Sequence, residues 1–175
     1  MDFRAWIITL AVVSVLNMFN IGKDQPEREI IIRGNWLFRT GYETFWVDPG
    51  FDEKGWSSIR VPGIWEDQGY MDYNGSACYR KHIRIPADWD DINGLTFHVG
   101  KIDDEDRVYF NGHLIGASTG WKKPRIYSIP VRLIRFGSDN VIAVVVNDTG
   151  GKGGIWDGPV SITTGLAQRF NVQEY

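Results

Sequence analysis

The feature that most constrains the fold is an alternation of apolar and polar residues that leads into a tight turn. Residues 95–100 read Leu-Thr-Phe-His-Val-Gly, the period of a strand with one buried face. Val108 and Phe110 resume the alternation after an acidic run, and Asn111-Gly112 then supplies the dipeptide that favours a two-residue hairpin turn. The passage predicts three consecutive strands, the third over 113–115.

Strand patterns recur along the rest of the chain at intervals of about 8–12 residues, which is typical of a β-sandwich. The predicted strands are 30–32, 36–38, 58–61, 77–85, 125–129, 141–146 and 160–163. Residues 141–146 are apolar throughout, as in an inner strand covered on both faces. One helical turn is expected over 133–136. The prediction is a single all-β sandwich domain, since 175 residues can bury a core without disulfides.

A set of motifs carries a resemblance to a known family over residues 34–163. The motifs, in order, are Gly-Asn-Trp-Leu-Phe-Arg at 34–39, Phe-Asp through Trp at 51–56, Val-Pro at 61–62, Trp-Glu at 65–66, Tyr-Arg-Lys at 79–81, Val-Tyr-Phe-Asn-Gly at 108–112, the apolar strand after Asn140, and Gly-Gly-Ile-Trp-Asp-Gly-Pro at 153–159. The chain resembles the sugar-binding domain that precedes the catalytic barrel in family 2 β-galactosidases and β-glucuronidases, which also accompanies sialate esterases. The resemblance implies a galactose-binding-like jelly-roll fold.

The N-terminal residues differ in character from the rest of the chain. Arg4 precedes the almost wholly apolar stretch 6–16, so 1–22 is interpreted as a secretory signal or a short uncleaved anchor, the alternative being a helix docked on the domain. Secreted or periplasmic localisation is expected. The stretch is shorter than the about 20 residues of a membrane span, so no stable span is expected. A linker is predicted over 23–29, the sandwich over 30–165 and a C-terminal tail over 166–175.

Charge and cysteine content exclude some classes of partner. The net charge of −3 and the dispersed basic residues give no footprint for nucleic acid. Cys78 is the only cysteine, so no intrachain disulfide forms. It lies in a predicted covered strand, and we expect a buried, inert thiol.

No motif predicts catalysis or a bound cofactor. The stretch 116–120 reads Gly-Ala-Ser-Thr-Gly, but a nucleophile elbow needs a following helix and a later histidine, and Ser118 has neither. His82, His98 and His113 are too widely spaced to predict a metal site. We therefore expect no catalytic residue, metal or cofactor.

The acidic run 103–106 has two interpretations. Paired carboxylates are the catalytic groups of glycoside hydrolases. In the resembling family such a run is a solvated turn beside the hairpin, with Asp103 able to brace the loop through backbone N–H groups. The structural interpretation is preferred.

Two glycine-rich loops are the candidate ligand surface. The resemblance implies that loops of this domain border a sugar, and carboxylates and aromatic rings suit hydroxyls and sugar faces. The predicted ligand-binding residues are Trp65, Asp72 and Asn74 from the loop 63–76, Asp148, Trp156 and Asp157 from the loop 147–158, and Trp121. For the first loop the alternative is that its aromatics fold back over the core, and for Trp121 that it caps the core.

The sequence thus predicts a non-catalytic carbohydrate-binding β-sandwich related to a glycoside hydrolase accessory domain, with a glycan or polysaccharide as partner. The alternative is a structural or protein-interaction sandwich without sugar binding. An enzyme acting by itself is disfavoured because no acid/base constellation is found.

Overall fold

The computed structural model describes residues 27–165 as strands joined by turns and loops. The strands are β1 (Glu29–Ile31), β2 (Gly34–Thr40), β3 (Ser57–Val61), β4 (Gly75–Arg84), β5 (Gly94–Asp103), β6 (Glu105–Phe110), β7 (His113–Thr119), β8 (Pro124–Pro130), β9 (Asp139–Asp148), β10 (Gly154–Asp157) and β11 (Ser161–Thr164). The only helical segments of this part of the chain are 3-10 turns at Thr44–Val47, Glu66–Gln68, Ala87–Trp89 and Val131–Leu133. The predicted all-β class is confirmed.

The terminal segments fall largely outside this range. The signal or anchor predicted for 1–22, most of the linker and the tail 166–175 lie outside the described residues. Strand β1 begins at Glu29, so sheet pairing extends into the predicted linker. Within residues 27–165, no helix combines the length and apolarity that crossing a membrane requires.

Two antiparallel sheets form the sandwich. The larger sheet has the order β3-β2-β4-β9-β6-β7. In the other sheet β5 is central, with β8 along one edge and β11 followed by β10 along the other, and β1 pairs with β11. Strand β5 brings Lys101 opposite both Asp157 of β10 and Pro124 of β8. The first residue of β8 and the last residue of β10 therefore lie on either side of Lys101.

The main core lies between the sheets. Leu95, Phe97 and Val99 of β5 are fully buried there, as their alternation predicts. They share this cluster with Ile142, Val144 and Val146, which form one face of β9. Burial of this apolar surface is the main favourable term in folding.

A second cluster covers the outer face of the larger sheet. Ala143 and Val145, on the opposite face of β9, pack with Cys78 and Trp46, and Trp56 joins them at the margin. The segment between β2 and β3 therefore acts as a cover, which explains why every residue of 142–146 is apolar. Burial raises the pKa of the Cys78 thiol to about 12, so it is a poor nucleophile.

The hairpin forms where the turn dipeptide predicts it. Asn111 and Gly112 have φ angles of 48° and 81°, the left-handed pair that a type I′ turn requires. Asn111 is buried, and its side chain accepts from the N–H of Val141 at 2.9 Å and donates to Asn140 Oδ1 at 2.8 Å. The turn is therefore tied to the start of β9.

Two local predictions need correction. The helical turn expected over 133–136 lies at Val131–Leu133, because it starts directly after Pro130 and the backbone is extended again at Ile134. The acidic run is not a solvated turn: Asp103 ends β5, and β6 begins at Glu105. Asp106 is 3% exposed, and Arg125 of β8 forms an ion pair with it at 2.5 Å, which compensates for the burial of its charge.

Candidate functional site

The two loops predicted to converge do meet through their backbones. Gly63 N–H donates to the carbonyl of Ile155 at 2.7 Å, and Trp65 N–H donates to that of Gly153 at 3.0 Å. A Cβ at Gly153 would lie 2.2 Å from the Trp65 ring. A glycine at 153 is therefore what allows the two loops to pack this closely.

The burial of Trp65 corrects its assignment to an open sugar surface. Its side chain has 0% exposure and packs against Phe38 with a centroid distance of 5.9 Å. Its indole N–H donates to the hydroxyl of Tyr79. The alternative, in which the first loop folds its aromatics over the core, describes Trp65, and partly buried Tyr70 and Tyr73 pack beside it.

The other residues predicted from sequence occupy different environments. Asp72 and Asn74 are exposed near the end of the first loop, and within residues 27–165 their side chains form no hydrogen bond with the other predicted site residues. Asp148 is 2% exposed at the end of β9. The structure brings together Trp121, Trp156 and Asp157.

Trp121 and Trp156, here called the tryptophan pair, lie side by side. Their ring centroids are 6.2 Å apart with an interplanar angle of 44°. The indole N–H of Trp156 donates to the carbonyl of Trp121 at 3.2 Å. Trp121 is 48% exposed and Trp156 is half-buried. The pair therefore presents aromatic surface to solvent from two separate segments of the chain.

Charged groups flank the tryptophan pair. Lys101 Nζ lies 5.0 Å from the Trp156 ring centroid and 2.8 Å from Asp157 Oδ2. The hydrogen bond from Lys101 lowers the pKa of Asp157, so its carboxylate is an acceptor at neutral pH. Lys122 Nζ lies 4.5 Å from the Trp121 centroid. Donors and an acceptor thus lie beside the aromatic surface.

A buried arginine holds the turn that carries Trp121. The guanidinium of Arg125 donates to the carbonyls of Gly120 at 2.6 Å and Lys123 at 2.5 Å, on either side of Trp121. It also bonds to the carbonyls of Ile102 and Asp104, both at 3.0 Å. The backbone on both sides of Trp121 is therefore held against the sandwich.

A second group of polar side chains, here called the acidic cluster, consists of Asp103, Asp104 and Asp148. One carboxylate oxygen from each lies within 4.8 Å of the others. Burial, followed by a hydrogen bond to Asp104, raises the pKa of Asp103 to about 7. Burial, with smaller contributions from the charges of Asp104 and Glu66, raises the pKa of Asp148. Hydrogen bonds from Thr149 and Asp103 lower the pKa of Asp104.

An open cleft lies elsewhere on the domain. It has a volume of about 720 Å³ and is lined by Arg33, Arg60, Pro62, Asp67, Gln68 and neighbouring residues. None of its lining residues is aromatic. The cleft therefore lacks the ring surface that the tryptophan pair provides.

Ser118 has no elbow geometry. It lies within β7, where it pairs with Asp106 of β6, and the chain continues into β8 rather than a helix. The strand-turn-helix arrangement that a nucleophile elbow needs is therefore not formed at Ser118.

The fold and these loops define an antiparallel β-sandwich domain with an aromatic and acidic surface on its connections. Residues 42–152 match the family model described as the β-galactosidase second all-beta domain. The chain belongs to this family of glycoside hydrolase accessory domains. A comparison with curated protein sequences found no match.

Solved structures of similar fold include β-glucuronidases from three bacteria. The enzyme of Bacteroides uniformis is 24% identical with a TM-score of 0.70, covering 79% of this chain and 18% of that one. The Bifidobacterium dentium enzyme, in complex with coumarin-3-O-glucuronide, is 16% identical with a TM-score of 0.69 over 81% of this chain and 30% of that one. The Dictyoglomus thermophilum enzyme is 22% identical with a TM-score of 0.62 over 79% and 28%. This chain spans less than a third of each enzyme.

Sequence reasoning missed the lysines and the acidic cluster. Lys101 lies near the end of β5, and nothing in the local alternation of core and surface residues marks it. Only the pairing of β5 with β10 brings it close to Trp156. Asp103 and Asp148 are 45 residues apart and end different strands. The signal in the sequence was an acidic residue at the end of each of these two strands. Only the strand order shows that the two strand ends are neighbours.

Proposed function

We propose that this domain binds carbohydrate at the tryptophan pair and contributes no catalysis by itself. The observation that carries the proposal is the partly exposed pair of indole rings, joined by a hydrogen bond and flanked by Lys101 and Asp157. The apolar face of a sugar ring packs against an aromatic ring, while its hydroxyls need donors and acceptors at the edge. Both requirements are met here within a few ångströms.

The family and the fold support a carbohydrate context. The matching family model describes a β-galactosidase domain, and similar structures belong to β-glucuronidases. Galactosides and glucuronides are therefore the first sugars to test. The lysines beside both rings give a uronic acid carboxylate two possible partners.

The carboxylates support a binding role rather than hydrolysis. Asp106 is fully committed to Arg125 and Tyr127. The hydrogen bond from Lys101 lowers the pKa of Asp157, so Asp157 serves as an acceptor and not as a proton donor. Glycoside hydrolysis needs two carboxyl groups facing one bond, one of them able to donate a proton. Asp103 has a raised pKa, but the tryptophan pair contacts Asp157 and Lys101 instead, so no such couple faces the proposed sugar surface.

The test is a glycan array with a polysaccharide-retention assay on the full chain, covering galactosides, glucuronides and uronic acid polymers. Trp121→Ala and Trp156→Ala should each weaken retention at least tenfold, with melting temperatures close to that of the unchanged chain. Phe45→Ala is the matched control, since Phe45 is 57% exposed on the cover over the other face. Unchanged retention in both tryptophan variants would contradict the site.

The same assay separates binding from the rival function. A folded chain that retains no glycan would favour a structural or protein-interaction domain. Turnover of chromogenic galactosides, glucuronides or acetyl esters by the purified chain would contradict the non-catalytic role.

We also infer that residues 1–22 direct export, on the basis of Arg4 followed by the apolar stretch 6–16. Expression in a bacterial host with fractionation and mass determination tests this. A shortened chain in the periplasm or medium supports a cleaved signal, whereas an intact chain in the cytoplasm contradicts export.

A further inference from the structure

We propose that Asp103, Asp104 and Asp148 bind a hard divalent cation such as Ca²⁺, at the point where β5, β9 and the loop before β10 meet. The proposal does not rest on sugar binding. One oxygen of each carboxylate lies within 4.8 Å of the other two. Ca²⁺ binds oxygens at 2.3–2.6 Å, so two oxygens on one ion lie up to about 5 Å apart. The three aspartates already satisfy this limit.

An unpartnered buried oxygen independently points to a ligand. Asp148 is 2% exposed, and its Oδ1 accepts from the N–H of Gly150 at 3.1 Å. Its Oδ2 is buried and has no hydrogen-bond partner among the described residues. Burying a carboxylate oxygen without a partner is costly. A cation at the cluster would satisfy this oxygen.

Arg125 of β8 has a positively charged side chain near the acidic cluster, but it has no free N–H donor for the unpartnered oxygen of Asp148. A guanidinium has five N–H donors. In Arg125 they go to Asp106 and to the carbonyls of Gly120, Lys123, Ile102 and Asp104. All five N–H donors of Arg125 are therefore taken by Asp106 and by backbone carbonyls, and none is left for the acidic cluster.

A shared proton between neighbouring aspartates does not account for the geometry either. A proton shared by Asp103 and Asp104 would serve those two carboxylates only. It would leave Asp148 Oδ2 without a partner. Glu66 adds a further buried and unpartnered oxygen, Oε2, and its charge acts on Asp148. The unpartnered oxygen of Asp148 therefore remains for a cation to satisfy.

The chemistry of the donors selects the class of ion. Carboxylate oxygens suit Ca²⁺, Mg²⁺ and Mn²⁺, whereas thiolates and imidazoles suit softer ions. Thr149 donates from its N–H to Asp104 Oδ2 at 3.1 Å and also from its hydroxyl. Hydrogen bonds of this kind orient a ligating carboxylate. A bound ion would join the end of β9 to the end of β5.

The experiment uses the full chain, stripped with EDTA and dialysed. Calorimetric titration with CaCl₂ and MgCl₂ gives the affinity, and thermal unfolding with and without CaCl₂ gives the effect on stability. The variants are Asp148→Asn and Asp103→Asn, and Asp91→Asn is the matched control because Asp91 is an exposed partner of Arg28. We expect each cluster variant to weaken the affinity at least tenfold and the control to change it less than twofold.

The thermal data distinguish a cation ligand from a merely structural carboxylate. Without cation, Asp148→Asn should melt at the same or a higher temperature than the unchanged chain, because it removes a like charge. With CaCl₂ the order should reverse, since only the unchanged chain gains stability from binding. The proposal is overturned if the folded chain binds neither ion, if Asp148→Asn binds as well as the unchanged chain, or if that variant loses the same stability with and without CaCl₂.

Discussion

Two buried arginines position the loops of this domain by bonding to backbone carbonyls. Arg80 lies under the cover of the larger sheet, where it donates to the carbonyls of Trp46 and Asp48 and forms an ion pair with Glu53 at 2.5 Å. Arg125 does the same for the turn that carries Trp121. Arginine suits this role because its planar fork offers several donors at fixed angles.

Removing the carboxylate partner of Arg125 should strongly destabilise the domain. In Asp106→Ala the guanidinium stays buried without its counter-charge, and Tyr127 loses its acceptor. We expect the free energy of unfolding to fall by about 3–5 kcal/mol, measured by urea denaturation. Asp91→Ala, at an exposed ion pair, should leave the midpoint nearly unchanged. Equal effects in the two variants would contradict the role of the buried pair.

His82 should make stability depend on pH. Burial lowers the pKa of His82, but hydrogen bonds to Asp139 and Glu53 outweigh it and raise the pKa above its usual value. Glu53 is shared with Arg80, whose positive charge faces the same carboxylate. A raised folded-state pKa contributes stability that is fully present below the usual value of about 6.5 and is lost as the pH rises through the folded value.

The measurement is thermal unfolding of the unchanged chain and His82→Gln across this pH range. The melting temperature of the unchanged chain should exceed that of the variant at low pH, and the difference should shrink as the pH rises. Asp139→Asn, which removes one partner, should reduce this pH dependence. A difference that grows with pH would show that the sign is wrong.

At the scale of elements, the packing of the two loops depends on the glycine at 153. Gly153→Ala would place a Cβ 2.2 Å from the fully buried Trp65 ring, so one of the loops must move. Overpacking of this kind costs typically about 1–3 kcal/mol. Chemical denaturation measures it, and Gly50→Ala, in an exposed turn with its nearest contact at 3.3 Å, serves as the control. A Gly153→Ala variant as stable as Gly50→Ala would contradict the close packing of the loops.

The elements that local chemistry determines could be predicted from the sequence. Asn111-Gly112 forms its hairpin because both residues accept left-handed backbone. Residues 142–146 are apolar because two clusters cover the two faces of β9. The acidic run could not be predicted in this way, since the partner that buries Asp106 is 19 residues away on β8.

At the scale of the whole molecule, the strand order determines which tryptophans remain accessible. Trp65 and Trp121 both lie close to glycines in polar loops, and nothing local separates them. Trp65 is buried because the loop before β10 folds over it, whereas Trp121 lies on the turn before the outer strand β8 and stays 48% exposed. The sequence therefore indicates that tryptophans in glycine-containing loops are candidates for the site. Which of them remain accessible depends on the assembled sandwich.

The most direct test of the central claim is to observe the indole N–H groups during a sugar titration. In a ¹H–¹⁵N correlation spectrum of the full chain, Trp121→Phe and Trp156→Phe assign the two signals among those of the eight tryptophans. Galactose, glucuronic acid and any oligosaccharide retained on the array serve as probes. We predict saturable shifts of the Trp121 and Trp156 signals, with those of buried Trp36 and Trp65 unchanged. Saturable shifts confined to other tryptophans, or none with a retained glycan, would contradict binding at this pair.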